Sequence, residues 1–491
     1  MRIAVVGMGV AGVSVVIAMA KHREYKEHEI VIYDKPDTFG TGLPYQPDSE
    51  LLLLNQTADT MSLDYEDEMG FVKWVEKKKG CNDSAKKHLP RSWYGQYMQE
   101  KLEEAVKELN PIIVKEEVTS LEKKEGGTFL VQSNTGEKNF DLIHLCIGHL
   151  PYQDPYQLID NPCFIYHPYP AQEKLANIEK GLRVGVVGTS LTAIDMMRFL
   201  KHEKEEIQLH FFSDTGRFST LRGNEPKFNL HYLTLERLNK EKENNNGFVS
   251  LEKIFQWFKQ ECADKEINWA DVLEAFGEGT KDQMKKQLTN EGDLGRLQSL
   301  LHHLDDLLPE FWLALNERDK QQFLEKYRDS FEIIRSPIPR ETVQELVNWW
   351  EKGELTVRGG MQEVVELADS FEVVFETKET VEVDYLINAT GQNKKVEQSR
   401  YQSKLLNQLI NQRILQPETF GGVQVLWPSS EAISQRHGVF ENLFVHGQLI
   451  QGIQYGNNTA GMLVKHAHEV VTKIVEQKRT EYPSSLLIYD C

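Results

Sequence analysis

The glycine spacing near the start of the chain is typical of a backbone turn that binds phosphate groups. Residues 2–6 are mainly apolar, and the turn that follows contains, in order, Gly7, Gly9, Val10, Ala11 and Gly12. In such a turn the first glycine allows a tight bend, the second lets the backbone approach a pyrophosphate, and the third lets the helix pack closely on the strand. The helix that begins here would point its N-terminus at the anion. The pattern predicts a dinucleotide site, the alternative being a glycine turn that only allows close packing.

An acidic residue lies where the ribose of a dinucleotide needs a hydrogen-bond acceptor. The second apolar strand, residues 29–33, ends at Asp34, which lies 22 residues after Gly12. A carboxylate about 20 residues beyond the turn accepts hydrogen bonds from ribose hydroxyls. We therefore expect Asp34 and the adjacent Lys35 to contact the bound nucleotide.

A second pattern of strand, turn and helix lies further along the chain. Its turn has Gly188, Ser190 and Ala193 in the three glycine positions, and the two larger residues leave the backbone less free to approach phosphate. Asp214 lies 21 residues after Ala193, a spacing that favours NADH, whereas Arg217 offers a guanidinium to the 2′-phosphate of NADPH. The sequence leaves open both the choice of coenzyme and whether this unit binds a nucleotide.

Several ordered motifs resemble those of one known family. They are, in chain order, Phe39-Gly40-Thr41-Gly42-Leu43-Pro44-Tyr45, Leu53-Leu54-Asn55-Gln56, Arg91-Ser92-Trp93-Tyr94-Gly95-Gln96-Tyr97, Asn388-Ala389-Thr390-Gly391 and Leu443-Phe444-Val445-His446-Gly447-Gln448. Along most of its length the chain resembles the FAD/NAD(P)-binding protein family, relatives of flavin-containing and amino-acid N-hydroxylating monooxygenases. The resemblance implies FAD at the first site and NADH or NADPH at the second. It also implies FAD contacts at Thr41, Gly42, Asn55, Gln56, Arg91, Val118, Gly148, Thr390, Gly391, Gly447, Gln448, Asn458 and Thr459.

The same resemblance implies an FAD-dependent oxidoreductase. NAD(P)H would deliver hydride to the flavin, and the reduced flavin would pass electrons to oxygen or to a small-molecule acceptor. A monooxygenase is favoured. A flavin reductase, dehydrogenase or oxidase without oxygenation, and a non-catalytic flavin-binding interaction protein, stay open. Because this chemistry needs few acid–base residues, the sequence identifies no catalytic residue. His446 and Gln448 stand where many related flavoproteins have an acidic residue.

The elements that position these residues should form an α/β fold with two Rossmann-like dinucleotide-binding domains. We expect a discontinuous FAD-binding domain formed by residues 1–160 and 385–491. The NAD(P)-binding-like domain would comprise residues 161–222 and 331–384. Long helical patterns with alternating charges predict a helical insertion at residues 223–330, which could cap the active site or form a dimer surface.

Composition restricts the classes of partner. A net charge of −19 argues against an extended electrostatic contact with nucleic-acid phosphates. No apolar stretch is long enough to span a membrane. The five cysteines include no CxxC pair, which disfavours a disulfide reductase and is typical of reduced thiols. The sequence therefore predicts a cytoplasmic enzyme that acts on a small-molecule substrate. It leaves open whether the chain forms a homo-oligomer.

Two further groups of residues were considered as sites. His302 and His303 lie near acidic residues, but adjacent helical positions point to different faces, so no metal site is predicted. Arg335 and Arg340 could hold an acidic substrate or a coenzyme phosphate, or could be ordinary surface charge.

Overall fold

Two apolar segments, each followed by a glycine turn, form the centres of two separate sheets, one in each of two structural units. The computed structural model describes residues 1–204, 206–455 and 459–481. Unit 1 comprises Met1–Pro47, Gln56–Gln153 and Gln392–Cys491, and unit 2 comprises Asp48–Asn55 and Asp154–Gly391. The chain changes unit a few residues from the boundaries expected at 160 and 385. The segment 48–55, expected in the first domain, clusters with unit 2.

Eighteen strands are found in the part of the chain that the structure describes. They are β1 (Arg2–Val6), β2 (Glu29–Tyr33), β3 (Ile112–Val114), β4 (Val118–Lys123), β5 (Phe129–Ser133), β6 (Glu137–Phe140), β7 (Leu142–Leu145), β8 (Phe164–Ile165), β9 (Arg183–Val187), β10 (Gln208–Phe212), β11 (Leu355–Arg358), β12 (Met361–Glu366), β13 (Phe371–Phe375), β14 (Thr380–Val383), β15 (Tyr385–Asn388), β16 (Val425–Leu426), β17 (Glu431–Ser434) and β18 (Gly438–Val445).

Helices cover the sheets and form the insertion. They are α1 (Val10–Ala20), α2 (Gly70–Lys79), α3 (Arg91–Leu109), α4 (Ala171–Lys174), α5 (Leu191–Glu203), α6 (Leu235–Asn244), α7 (Leu251–Asp264), α8 (Trp269–Phe276), α9 (Lys281–Thr289), α10 (Leu294–His303), α11 (Leu308–Ala314), α12 (Glu317–Lys326), α13 (Arg328–Arg335), α14 (Arg340–Glu351), α15 (Val396–Ser399), α16 (Lys404–Asn411), α17 (Gln451–Gln454) and α18 (Ala460–Glu481).

The main sheet of unit 1 has seven strands in the order β16-β17-β18-β7-β1-β2-β3. Strands β18, β7, β1, β2 and β3 run parallel. Residues Ile3 to Val6 of β1 are all buried, which explains their continuous apolar sequence, because a central parallel strand is covered on both faces. The carboxyl ends of these parallel strands lie along one edge of the sheet, and the first glycine turn follows β1 at that edge.

The main sheet of unit 2 is parallel throughout and has the order β11-β10-β9-β15-β8. A separate antiparallel sheet, β12-β13-β14, contributes to a core cluster that also contains Val187, Phe212 and Leu386. Gly185 of β9 lies in this contact, where an added Cβ would stand 2.9 Å from both Leu386 and Phe212. The side chains of β9 and β10 therefore alternate between a face toward the small sheet and a face away from it.

The helical insertion lies between β10 and β11 and belongs to unit 2. Helices α6, α7, α9 and α12 each begin at a Thr, Ser or Asn whose side chain accepts a backbone N–H of the first turn. The carboxylate of Glu261 in α7 is fully buried. It accepts hydrogen bonds from the backbone N–H groups of His231, Tyr232 and Leu233, at 3.0, 2.6 and 3.1 Å. The Glu261 carboxylate therefore fixes the backbone of residues 231–233, near the start of the insertion.

The predicted α/β class, with two Rossmann-like units and a helical insertion, is confirmed. Within the described residues, every helix is too short or too polar to cross a membrane.

Candidate dinucleotide-binding sites

At two positions the first glycine turn leaves no room for any residue but glycine. Gly7 has φ +95°, donates its N–H to the Tyr33 carbonyl at 2.8 Å, and leaves no room for a side chain because an added Cβ would collide with the carbonyl of Cys146. A Cβ on Gly12 would collide with the Gly7 carbonyl. These two glycines therefore allow the tight turn and the close packing of α1 on β1.

Gly9 differs from its two neighbours because its backbone suits any residue. It precedes α1 with φ −77° and ψ −166°, and no side chain caps this helix N-terminus. The added Cβ would lie 3.6 Å from the Cα of Gly42, which is ordinary van der Waals contact. Glycine is therefore not needed here for the fold. Its absent side chain leaves uncapped backbone N–H groups open to an anion, which fits a pyrophosphate.

Asp34 follows β2 and faces this turn. Its carboxylate accepts the backbone N–H of Met8 at 3.1 Å and that of Lys35 at 2.9 Å. Burial raises the pKa of Asp34 to about 6, although the two backbone donors act to lower it. A ribose hydroxyl that donated to this carboxylate would further favour its charged form, so the position fits a nucleotide ribose.

Two other turns of unit 1 border the same edge. Gly447, which follows β18, has φ +77°, and its added Cβ would stand 3.1 Å from the Cβ of Ala11 in the first turn of α1. Gly148, which follows β7, has φ +74° and no atom within 4 Å of an added Cβ. In α17 the amide of Gln454 is buried, and neither its nitrogen nor its oxygen has a hydrogen-bond partner among the described residues. Sequence patterns gave no signal for Gln454, which is a candidate ligand-facing group.

The remaining residues expected at the first site are distributed between the units. Thr41 is buried, and its hydroxyl donates to the Gly42 carbonyl at 3.1 Å. Arg91 begins α3, Val118 begins β4 and is buried, and Gln448 lies in the turn after β18. Gln56, Lys35, Val10 and Thr459 also belong to unit 1, whereas Asn55, Thr390 and Gly391 belong to unit 2. Asn458 lies outside the described residues.

The second glycine turn repeats the first in its backbone. Gly188 has φ +120° and donates its N–H to the Phe212 carbonyl at 2.7 Å, as Gly7 does to Tyr33. An added Cβ on Gly188 would lie 2.5 Å from the Ala389 carbonyl oxygen. Helix α5 begins after Ser190, whose side chain makes no capping hydrogen bond. The N-terminus of α5 is therefore as open to an anion as that of α1, so this turn fits a second nucleotide.

The residue that directly follows β10 was not singled out by sequence spacing. Ser213 directly follows β10, and its hydroxyl lies 3.4 Å from that of Thr189 in the glycine turn. The same hydroxyl accepts the backbone N–H of Gly216 at 2.8 Å. Counting from the end of the strand, rather than from Ala193, would have pointed to it.

Three histidines form a buried cluster in unit 1. Nδ1 of His144 lies 2.9 Å from Nε2 of His446, and the ring of His466 stacks on Trp427 and contacts the Pro428 carbonyl through Nε2 at 3.0 Å. Burial holds the pKa of His446 well below its usual value and lowers the pKa of His466 to about 4. His446 and His466 are therefore neutral at pH 7 in the folded protein.

We expect this cluster to make the protein sensitive to acid. The pKa of His466 is lower when folded than the 6.5 of an exposed imidazole, so its contribution to stability is complete above pH 6.5 and is lost as the pH falls toward 4. At about pH 5 the loss from His466 alone should be about 2 kcal/mol. Urea unfolding of wild type and His466→Gln at about pH 7.5 and 5 measures it, and the variant should lose less stability on acidification. An equal loss in both proteins would contradict this role.

The groups considered as metal or substrate sites have internal partners. His302 contacts Glu225 through Nδ1 at 2.7 Å and the Arg335 carbonyl through Nε2 at 2.9 Å. Arg335 pairs with Asp305, and Arg340 pairs with Glu291, each at 2.8 Å. These side chains hold parts of the insertion together.

A second group of candidate metal ligands lies next to a lysine side chain. Within the described residues His231, Glu261 and Asp264 have ligand atoms within 4.8 Å of one another. The ammonium of Lys265 lies 2.8 Å from Asp264, 3.4 Å from Nδ1 of His231 and 3.6 Å from Glu261. The lysine supplies the positive charge at this position.

Comparisons with known proteins agree with this geometry. Residues 4–150 match the model of a family described as FAD-NAD(P)-binding. No curated protein matches the chain.

Solved structures match nearly the whole chain. The reduced form of an ornithine hydroxylase from Pseudomonas aeruginosa is 12% identical, with a TM-score of 0.62, and an ornithine N-hydroxylase from Kutzneria sp. 744, with reduced FAD, NADP⁺ and L-ornithine, is 15% identical, with a TM-score of 0.58. A bacillithiol disulfide reductase from Staphylococcus aureus is 12% identical, with a TM-score of 0.52. Each match covers 97% of this chain and 99% of the other. At these identities the likeness establishes a shared fold. Residues 4–150 therefore match an FAD-NAD(P)-binding domain, and the chain as a whole shares its fold with these flavoproteins.

Proposed function

We propose that this protein is an FAD-dependent, NAD(P)H-linked oxidoreductase of the monooxygenase type. The observation that carries the proposal is the repetition, in one chain, of a parallel strand, an obligatory positive-φ glycine and an uncapped helix, at Gly7 in unit 1 and at Gly188 in unit 2. Two such units are what a flavoprotein needs to hold both its flavin and a nicotinamide coenzyme. The two ornithine hydroxylases have the same fold and support the reaction type.

The residues of unit 1 fit FAD in defined roles. The backbone around Gly9 and Gly42 would approach the pyrophosphate, and Asp34 would accept hydrogen bonds from the ribose. Bound FAD would supply a two-electron centre that accepts hydride and passes electrons to oxygen or to another acceptor. The protein binds and orients the cofactor and excludes water, so few titratable residues are required. Neutral His446, buried beside the Gly447 turn, adds no charge there.

FAD affinity should depend on pH through Asp34. Because the ribose hydroxyls donate to the charged carboxylate, binding favours its ionised form, and the pKa of about 6 means that this form is lost on mild acidification. FAD should bind about fourfold more weakly at about pH 5.5 than at about pH 7.5. Titration of the apoprotein, followed by quenching of flavin fluorescence, measures this change. Asp34→Asn is the control and should bind FAD weakly with little pH dependence; unchanged dependence in the variant would contradict the assignment.

We also propose a substrate class. The structure of the Kutzneria enzyme contains L-ornithine, which makes a small amine the first substrate class to test here. The proposed substrate is a small molecule, and the proposed location of the enzyme is the cytoplasm.

Anaerobic stopped-flow absorbance tests the function. The FAD-loaded protein is mixed with NADPH or NADH, and rapid bleaching of the flavin band is expected. Aerobic turnover with primary amines such as ornithine, lysine and cadaverine should then give the corresponding N-hydroxylated amine in proportion to the coenzyme consumed. Bleaching without any oxygenated product would favour a reductase, dehydrogenase or oxidase, whereas no bleaching by either coenzyme would favour a non-catalytic flavin-binding protein.

A further inference from the structure

We infer that unit 2 selects NADPH over NADH, with Ser213 at the ribose position and Arg217 as the ligand of the 2′-phosphate, an inference that rests on the proposed function. The sequence offered Asp214 and Arg217 as competing determinants. The strand registers of the two units decide which residue faces the nucleotide in each.

The two units can be aligned residue by residue on their hydrogen bonds. In unit 1 Val6 pairs with Tyr33, and the next residue on the second strand is Asp34. In unit 2 Val187 pairs with Phe212, and the next residue is Ser213. The bonds that close the two turns are the same, with the first glycine donating to the last carbonyl of the neighbouring strand. Ser213 therefore occupies the position of Asp34.

The side-chain contacts agree with this register. In unit 1 the Asp34 carboxylate contacts Met8, the residue after the first glycine, at 3.1 Å. In unit 2 the Ser213 hydroxyl contacts Thr189, again the residue after the first glycine, at 3.4 Å. A hydroxyl thus replaces the carboxylate that selects a free 2′-hydroxyl and repels a 2′-phosphate.

Asp214 lies on the other side of the strand. Phe212 is the last residue of β10 and belongs to the cluster formed with the small sheet, and continuing the alternation past the end of the strand puts Asp214 on that side. Burial raises the pKa of Tyr156, and the charge of Asp214 raises it further; Tyr156 packs against the same cluster and contacts Met361. Its carbonyl accepts the Gly360 N–H at 2.9 Å, which fixes the turn in this orientation. Asp214 therefore faces away from Thr189.

Arg217 follows the turn that Ser213 organises. Gly216 donates its N–H to the Ser213 hydroxyl and packs against the backbone of Gly359, with an added Cβ only 2.7 Å from the Gly359 nitrogen. The next residue, Arg217, is exposed, and among the described residues its guanidinium has no hydrogen bond or ion pair. An exposed, unpaired guanidinium four residues after a neutral ribose position is suited to a phosphate dianion.

Binding of coenzyme fragments tests the inference without turnover. Calorimetry of the FAD-loaded protein is expected to give roughly tenfold tighter binding of 2′,5′-ADP than of 5′-AMP. Arg217→Ala should remove this difference and leave 5′-AMP binding unchanged, and Ser213→Asp should reverse it. Asp214→Asn is the matched control and should leave the ratio within about twofold of wild type.

The outcomes separate this inference from the proposed function. Equal binding of both fragments, or a change of preference in Asp214→Asn alone, would overturn the assignment, even if NADH still bleached the flavin. Preferred binding of 2′,5′-ADP in a protein whose flavin no coenzyme reduces would uphold the assignment and overturn the oxidoreductase function.

Discussion

Gly9→Ala is expected to abolish tight FAD binding in a protein that remains folded. The backbone at Gly9 lies in an extended region open to alanine, and the new methyl group would meet Gly42 at the ordinary distance of 3.6 Å. The same methyl group would occupy the space in which backbone N–H groups approach the pyrophosphate. We expect FAD affinity to fall by roughly tenfold or more, since the loss of one good charged contact costs about 1.4 kcal/mol or more. Fluorescence titration of the apoprotein measures the affinity.

Gly7→Ala is the matched variant, and we expect it to destabilise the folded apoprotein itself. Its backbone has φ +95°, and its methyl group would collide with the Cys146 carbonyl, so the apoprotein itself should lose about 3 kcal/mol or more of its free energy of unfolding. Thermal unfolding of both apoproteins separates the two effects. If Gly9→Ala unfolded as easily as Gly7→Ala, the loss of FAD would have a structural cause. If Gly9→Ala kept full FAD affinity, the turn would not approach the pyrophosphate.

Glu261→Ala should destabilise the helical insertion strongly. The carboxylate is fully buried and satisfies three backbone N–H groups of the segment 231–233. Its removal leaves these donors without an acceptor and leaves Lys265 without one of its partners. A buried donor without an acceptor costs about 1–3 kcal/mol, and the two part-buried donors cost less than the buried one, so the total loss should be about 3–5 kcal/mol. Hydrogen exchange of α6 and α7, together with thermal unfolding, measures the effect.

Asp264→Ala is the control for this prediction, because Asp264 contacts the same lysine from an exposed position. We expect its unfolding midpoint to stay close to that of wild type, since exposed ion pairs contribute little. Equal destabilisation by the two variants would mean that the contact with Lys265, and not the buried backbone donors, stabilises this region.

The sequence alone was enough to predict the first proposed nucleotide site almost residue by residue. Gly7, Gly9, Gly12 and Asp34 are close in sequence, and their roles follow from local geometry: one strand, one turn, one helix and the next strand. The sequence also indicated the strand β1, because its continuous apolar run is typical of a central parallel strand. Such features form from residues that are close in sequence, so few contacts with distant residues are needed to specify them.

The tertiary structure decided the features that depend on register and on distant partners. The position of Ser213 beside Thr189 follows from the pairing of β9 with β10, and a shift of one residue would have put Asp214 there. Arg335 is held by Asp305 and the segment 48–55 clusters with unit 2, and neither fact is visible in local sequence patterns. Contacts between residues far apart in sequence are fixed only when the whole fold forms. For that reason the sequence supplied the candidate groups, and the structure supplied the direction in which each one points.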